Sequence, residues 1–287
     1  MVHSLTLKDS MRFARTIARA AVHDPTRLDL GAAFRIGTQL GAMKISANRG
    51  SLMPIRIPGS SRSAYLRPGT TDADVFEQIF LQRQYDMRLF PQYEAISRYP
   101  PADMLVLDCG AYIGLSTIWF SERFPGARIY AVEPDTENYA LLVQNTRDLP
   151  NVVPVNAAVW DRECWLMVAD PGPQVPKYAV TVVECDEERS DLVEATTIPK
   201  LMACAGSRDC MVVKLDIEGS ESAVFRSNTD WLDAANVVLI ELHDWLYPGR
   251  HRSRNFFRAL LKHDFEVVLS GENLICFQEV TDVSRPL

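Results

Sequence analysis

Two carboxylates, Asp108 and Glu133, close apolar runs of this 287-residue chain and stand 25 residues apart. The first lies in Leu105-Val106-Leu107-Asp108-Cys109-Gly110-Ala111-Tyr112-Ile113-Gly114, the second in Tyr130-Ala131-Val132-Glu133-Pro134. A strand that runs into a glycine-bearing turn lets backbone approach a ligand closely, because glycine has no Cβ. A carboxylate at the end of the next strand can accept hydrogen bonds from both hydroxyls of a ribose, and the spacing suits that contact. Together they point to an adenosine-containing cofactor. A nicotinamide dinucleotide would want Gly-x-Gly-x-x-Gly, so that its pyrophosphate rests on a helix N-terminus. Here the turn runs Asp108-x-Gly110-Ala111-Tyr112-x-Gly114, and Asp108 would repel a pyrophosphate. It suits a cationic ligand, and S-adenosylmethionine carries an ammonium and a sulfonium. The expected cofactor-binding residues are Asp108, Gly110, Ala111, Tyr112, Gly114, Glu133 and Pro134. Asn156, Ala157 and Ala158, at a third strand end, would flank the adenine.

A second set follows in Lys214-Leu215-Asp216-Ile217-Glu218 and in Glu241-Leu242-His243. Side chains alternate along a strand, so Lys214, Asp216 and Glu218 share one side, as do Glu241 and His243. If both strand ends open into one cleft, Asp216, Glu218, Glu241 and His243 form a catalytic cluster, with Asp216 also in reach of the cofactor. Two mechanisms fit. In one, a base takes the proton of an acceptor hydroxyl, and His243, titrating near neutrality, is the natural choice. In the other, Asp216, Glu241 and His243 hold Mg²⁺ or Mn²⁺, which acidifies the hydroxyl. The metal-free route is preferred, with no metal ligand assigned, because the ligands come from two strands rather than one compact motif. Lys214 reads as an ion-pair partner of Asp216 or Glu218, and Glu221 as an acid complementing a helix start.

The elements that must position these groups alternate. Strands at 104–109, 128–133, 151–156, 210–217 and 236–243 are interleaved with helices at 114–124, 136–148, 220–228 and 252–263. That rhythm means an α/β fold, a Rossmann-like, mostly parallel, doubly wound sheet with helices on both faces. The runs 265–269 and 274–277 flank Ser270-Gly271-Glu272-Asn273, a hairpin signal that makes the C-terminal strand antiparallel. Residues 160–200 break the rhythm and read as antiparallel hairpins or a flap. Their acidic, Pro-rich part, 170–190, is a candidate lid or acceptor pocket. Ahead of the sheet come an amphipathic helix at 4–23, a weaker helix at 28–47, a strand pair at 53–57 and 63–67, and a helix from near Ala73 capped by Thr71 or Asp72. Three regions result: a helical segment 1–50, a lead-in of hairpin and helices 51–101, and a catalytic domain 102–287.

The chain carries a net charge of −7, unevenly spread. Residues 1–50 hold eight Lys and Arg against three Asp, a balance of +5, which leaves −12 for the rest. An acidic body is not the basic face of a nucleic-acid reader, so no nucleic acid is expected as partner. No apolar run is long enough to span a membrane, and no secretory signal is seen. The six cysteines are scattered without a Cys-x-x-Cys pair, which argues against a zinc ribbon or a disulfide scaffold. The expected compartment is the cytoplasm, and the amphipathic first helix offers a surface for a homodimer.

The residues resemble, in order along the chain, the FkbM family of S-adenosylmethionine-dependent methyltransferases. The resemblance runs over roughly 52–280. It rests on Leu66-Arg67-Pro68-Gly69-Thr70-Thr71-Asp72 through Tyr85-Asp86, on 107–114, on Glu133-Pro134 with Asn138 and Asn145, on Asn156-Ala157-Ala158-Val159, and on Lys214-Leu215-Asp216-Ile217-Glu218-Gly219-Ser220-Glu221. Tyr112 departs from it, standing where the family often has Asn. Thr71 and Tyr85 of the lead-in join the expected cofactor-binding set, and Tyr85 is also a candidate for the acceptor pocket. The resemblance implies methyl transfer to a hydroxyl of a small-molecule acceptor, a sugar or glycan or a secondary metabolite. Methylation of RNA or protein, or a non-catalytic cofactor-binding scaffold, are the competing expectations.

Overall fold

The computed structural model describes residues 30–44, 51–169, 181–185, 192–206 and 208–278. The amphipathic helix expected at 4–23, with the homodimer surface assigned to it, and most of the segment 170–190 lie outside these residues. The chain divides into two compact units at 85/86, residues 1–85 and 86–287, where the sequence reading set breaks at 50 and 101.

The first unit holds helix α1 (Leu30–Lys44), an antiparallel pair β1 (Met53–Arg56) and β2 (Ser63–Leu66), and a short helix α2 (Asp72–Phe76) that continues as a wider turn, Glu77–Leu81. The run between β2 and α2 folds around Asp72, which is fully buried. The Asp72 carboxylate accepts from Arg67 N at 2.7 Å, Nε at 3.0 Å and Nη2 at 2.9 Å. A forked guanidinium suits a carboxylate in this way, and the pairing locks the loop. Thr71 precedes α2 without a side-chain cap bond, and Tyr85 is buried.

The second unit is built on a seven-stranded sheet in the order β12-β13-β11-β10-β3-β4-β5. The strands are β3 (Met104–Cys109), β4 (Arg128–Val132), β5 (Val152–Val155), β10 (Cys210–Leu215), β11 (Val237–Glu241), β12 (Phe265–Ser270) and β13 (Asn273–Gln278). All pairs from β5 to β11 are parallel, and β13 inserts antiparallel between β11 and β12. The Rossmann-like expectation holds, including the two-residue hairpin at Gly271-Glu272. Period-2 alternation splits the core between two faces. Leu105, Leu107, Cys109, Tyr130 and Val132 pack with α6 (Ile198–Ala205), α7 (Glu221–Val224) and α8 (Arg254–Leu260). Ala131, on the opposite face, packs against Leu142 of α5 (Thr136–Thr146). Helix α4 (Leu115–Arg123) joins β3 to β4. The irregular stretch is a smaller sheet, order β6-β9-β7-β8, from Ala158–Val159, Leu192–Thr196, Trp165–Ala169 and Thr181–Glu184. This agrees with the expected hairpins. One element missed in that stretch is α6, whose start is marked by the Thr197 cap and Pro199 in the first turn. Among the described residues no helix is long and apolar enough to cross a membrane.

Candidate functional site at the carboxyl ends of the central strands

Strand order reverses between β3 and β10: the chain runs outward from β3 to β5 on one side, then returns to β10 on the other. Open α/β sheets bind ligands at such a point, at the carboxyl ends of the strands. Asp108, Glu133, Asp216, Glu241 and His243 all lie at or just past those ends.

The β3 turn is drawn tight by backbone. Gly110 N and Ala111 N both donate to Val132 O, at 3.0 and 2.9 Å, and Asp216 N donates to Cys109 O at 3.1 Å. Gly110 has φ +78°, and a Cβ there would run into the Asp216 carbonyl. Only glycine satisfies both demands. Gly114, at φ +87°, opens α4 close against Leu142 and Thr146. Tyr112, at φ +50°, donates its backbone N–H to Glu133 Oε2 at 2.9 Å.

Asp108 differs from its expected role. It is fully buried, and its Oδ2 accepts from Ser116 Oγ at 2.8 Å and Thr117 Oγ1 at 2.6 Å. Its Oδ1 faces Lys214 Nζ at 3.3 Å. An aspartate so enclosed does not meet a ligand's ammonium; it anchors the start of α4 and neutralises a buried lysine. That lysine donates to Gly110 O at 2.6 Å and reaches Asp216 Oδ2 at 3.7 Å, so it ties the β3 turn to the end of β10. The ion-pair reading of Lys214 is met for Asp216, with Asp108 as a further partner. The enclosure of Asp108 was invisible in sequence, because its partners come from a helix and another strand.

Glu133 is only 4% exposed. Besides Tyr112 N, its carboxylate accepts from Asp135 N at 3.0 Å and Asn138 Nδ2 at 3.4 Å. Burial pushes its pKa up to about 7, against the pull of the Asp135 and Tyr112 amides. Asn156 Nδ2 donates to Glu133 O and Pro134 O at 2.9 and 3.2 Å, and so fixes the loop after β4. Ala111, Ala157 and Ala158 are buried in hydrophobic clusters, Ala158 in that of the smaller sheet. Thr71 and Tyr85 belong to the first unit.

The second set comes together, but Asp216, Glu218 and His243 lie just past the strands rather than within their alternation. His243, 2% exposed, places Nε2 at 3.4 Å from Glu218 Oε2, 3.5 Å from Glu241 Oε1 and 3.9 Å from Asp216 Oδ1. Its Nδ1 meets Glu221 Oε1 at 2.8 Å, and the same oxygen accepts from Gly219 N at 3.1 Å. Glu221 does stand at the start of a helix, but its carboxylate serves His243. Desolvation raises Glu218 to about 7 and Glu241 to about 8, with the nearby Asp216 charge adding to both. Burial works against the charged imidazole, but Glu221, Asp216 and Glu218 outweigh it and hold His243 up at about 10. His243 therefore keeps a proton at neutral pH, unlike the base titrating near neutrality that the sequence suggested. Ligand atoms of Asp216, Glu241 and His243 lie within 4.8 Å of one another.

Three further residues frame this cluster. Arg252 Nη1 donates to Gly219 O at 3.0 Å and its guanidinium sits 4.5 Å from the Tyr247 ring centroid. Asn255 Nδ2 donates to Ser222 O at 2.8 Å. Trp245 is 60% exposed, its ring centroid 6.4 Å from that of His243. An aromatic two residues past His243 was the available signal for it.

The family model described as the methyltransferase FkbM domain matches residues 108–267, from the acid that ends β3 into β12. "Methyltransferase 1" of Beauveria bassiana (strain ARSEF 2860) is 25% identical over 197 residues, 59% of this chain and 73% of that protein. Among solved structures, methyltransferase FkbM from Methylobacillus flagellatus KT is 14% identical with a TM-score of 0.40. That match covers 70% of this chain and 54% of the other, so this chain spans about half of its length. Aeropyrum pernix fibrillarin, solved with natively bound S-adenosyl-L-methionine, is 13% identical with a TM-score of 0.38, covering 83% of this chain and 86% of that one.

Proposed function

The chain belongs to the FkbM methyltransferase family, and on that premise we propose that it moves a methyl group from S-adenosylmethionine to a hydroxyl oxygen of a sugar, glycan or secondary metabolite. The observation that carries this reading is the pairing, at one switch point, of a glycine turn closed by Glu133 with the cluster of Asp216, Glu218, Glu241 and His243.

The residues fit the donor. Gly110 packs on the Asp216 carbonyl and so brings the β3 turn beside the first acid of the cluster. A carboxylate offers about four acceptor positions, and Glu133 has three in use, which leaves one for a ribose hydroxyl. Tyr112, Gly114 and the Pro134 loop would border the nucleoside. When bound, S-adenosylmethionine supplies an electrophilic methyl group on a cationic sulfur. The excess of carboxylates at the ends of β10 and β11 favours a cation there by simple Coulomb attraction.

A sugar hydroxyl gives up its proton as it attacks carbon. Whichever of Asp216, Glu218 and Glu241 is ionised can accept that proton, while the His243 imidazolium balances the charge of the cluster. Holding the hydroxyl in line is the larger contribution, roughly 7–11 kcal/mol where orientation is complete. The catalytic assignment is therefore the carboxylate group, with His243 as its positioning and charge-balancing partner.

Calorimetric titration with S-adenosylhomocysteine, beside an NAD⁺ control, tests the donor half. Micromolar binding of the homocysteine compound alone is expected, weakened in Glu133→Ala by roughly 1.5–3 kcal/mol for a lost charged hydrogen bond. Equal affinity in the variant removes the ribose contact. Transfer of labelled methyl groups to hydroxylated glycans, with transfer RNA as the competing acceptor, tests the other half.

A further inference from the structure

The imidazole of His243 is held in an unusual way. Glu221 Oε1 already accepts a backbone N–H from Gly219, so it acts as an acceptor toward His243, and Nδ1 must be the donor. A metal ion can therefore enter only by displacing the Nε2 proton, which leaves Nε2 as a lone pair. That lone pair, on a side chain 2% exposed, points among three carboxylate oxygens. Nε2 lies within 3.9 Å of one oxygen each of Asp216, Glu218 and Glu241. These oxygens meet either a proton on Nε2 or a metal ion in its place.

We infer that Asp216, Glu241 and His243 form a binding site for one divalent transition-metal ion, of the Mn²⁺ or Zn²⁺ kind, with Glu218 at its margin and Glu221 orienting the imidazole.

The spacing supports it. Ligands about 2.1 Å from a common ion are about 3.0 Å apart at right angles and about 3.4 Å apart in a tetrahedron. The separations of 3.5 Å from Nε2 to Glu241 and 3.9 Å to Asp216 are close to that scale. Asp216 divides its oxygens, Oδ2 toward Lys214 and Oδ1 toward His243, so the lysine does not occupy the centre. One imidazole with two carboxylates is a mixed nitrogen and oxygen set. That favours Mn²⁺ or Zn²⁺ over Mg²⁺, which prefers all-oxygen shells. Metal-binding histidines commonly donate their second ring N–H to a carboxylate, which sets tautomer and orientation, and Glu221 stands where that partner stands. An acceptor hydroxyl bound to such an ion would be a stronger acid. This last role rests on the reading of the chain as a hydroxyl methyltransferase; the metal site itself does not.

The experiment is Mn²⁺ titration of the full, metal-stripped chain, followed by electron paramagnetic resonance of the free aquo ion. One Mn²⁺ per chain is expected to bind. His243→Gln and Glu241→Gln should abolish that binding, and Glu221→Gln should weaken it about 10–100-fold while leaving it measurable. Circular dichroism melts confirm that each variant is folded. No stoichiometric binding by the unaltered chain overturns the site, as does binding indifferent to all three substitutions. S-adenosylhomocysteine titration of the same metal-stripped chain separates the two proposals. Nucleoside binding without Mn²⁺ binding ends the metal inference alone, and the reverse result ends the methyl-transfer reading alone.

Discussion

The acids at the ends of β3 and β4 and those past the ends of β10 and β11 hold equivalent places in one sheet but opposite circumstances. Asp108 and Glu133 are enclosed, and hydroxyls, amides and a lysine take up most of their acceptor positions. Asp216, Glu218 and Glu241 are partly exposed and surround one imidazole. A carboxylate whose lone pairs are met from within builds backbone. A carboxylate left facing others of its kind stores a demand for positive charge, which a ligand can meet. Burial thus distinguishes the two pairs of strand ends more sharply than position along a strand does.

Lys214 belongs to both sides, and removing it is the largest test of the contrast. Lys214→Met should leave Asp108 as a buried charge without its counter-ion and lower unfolding free energy by about 3–5 kcal/mol. Adding Asp108→Asn should recover part of the loss. A small loss by chemical denaturation would mean that Asp108 is not held as an ion.

Glu133 gives a test through pH. Its pKa stands near 7 in the folded chain against 4.5 for an ordinary glutamate. Between those values the folded state binds the extra proton. Stability that is fully present below pH 4.5 should thus be lost as pH rises to about 7, by about 3 kcal/mol, and change little beyond. Glu133→Gln should lack that part of the slope. Parallel curves for the two proteins would show that burial of this carboxyl is not costly.

The smallest effect is expected on the loop after β4. Asn156→Ala removes two donations to backbone carbonyls and should cost about 1 kcal/mol. That corresponds to a melting shift of roughly 3 °C. A larger loss would make the Glu133-Pro134 loop part of the core rather than its rim.

Much of the sheet was legible because strand periodicity is local. The strand at 104–109 and the hairpin around Gly271 were read with little or no error. The strand expected to 217 stops at Leu215 because Glu218 and Gly219 turn into positive φ, at +53° and +93°. The helix expected over 220–228 shrinks to Glu221–Val224, and Asn228 lies at φ +54°. The cluster was anticipated from its members' places at two strand ends, although Asp216, Glu218 and His243 lie past the strands themselves. The partnership of Glu221 with His243 was not, since 22 residues and a strand–helix packing intervene. Nor could pattern show that Asp108 faces inward, because burial depends on which neighbours the fold brings.

The contact between Gly110 and the Asp216 carbonyl has a mechanical consequence. Two backbones meet there with no room for a methyl group, and Lys214 clamps the junction from beneath. The floor of the nucleoside turn and the first acid of the cluster thus behave as one stiff part. On the proposed reading, donor and acceptor would be registered against a shared reference, their separation set when the chain folds rather than when either arrives.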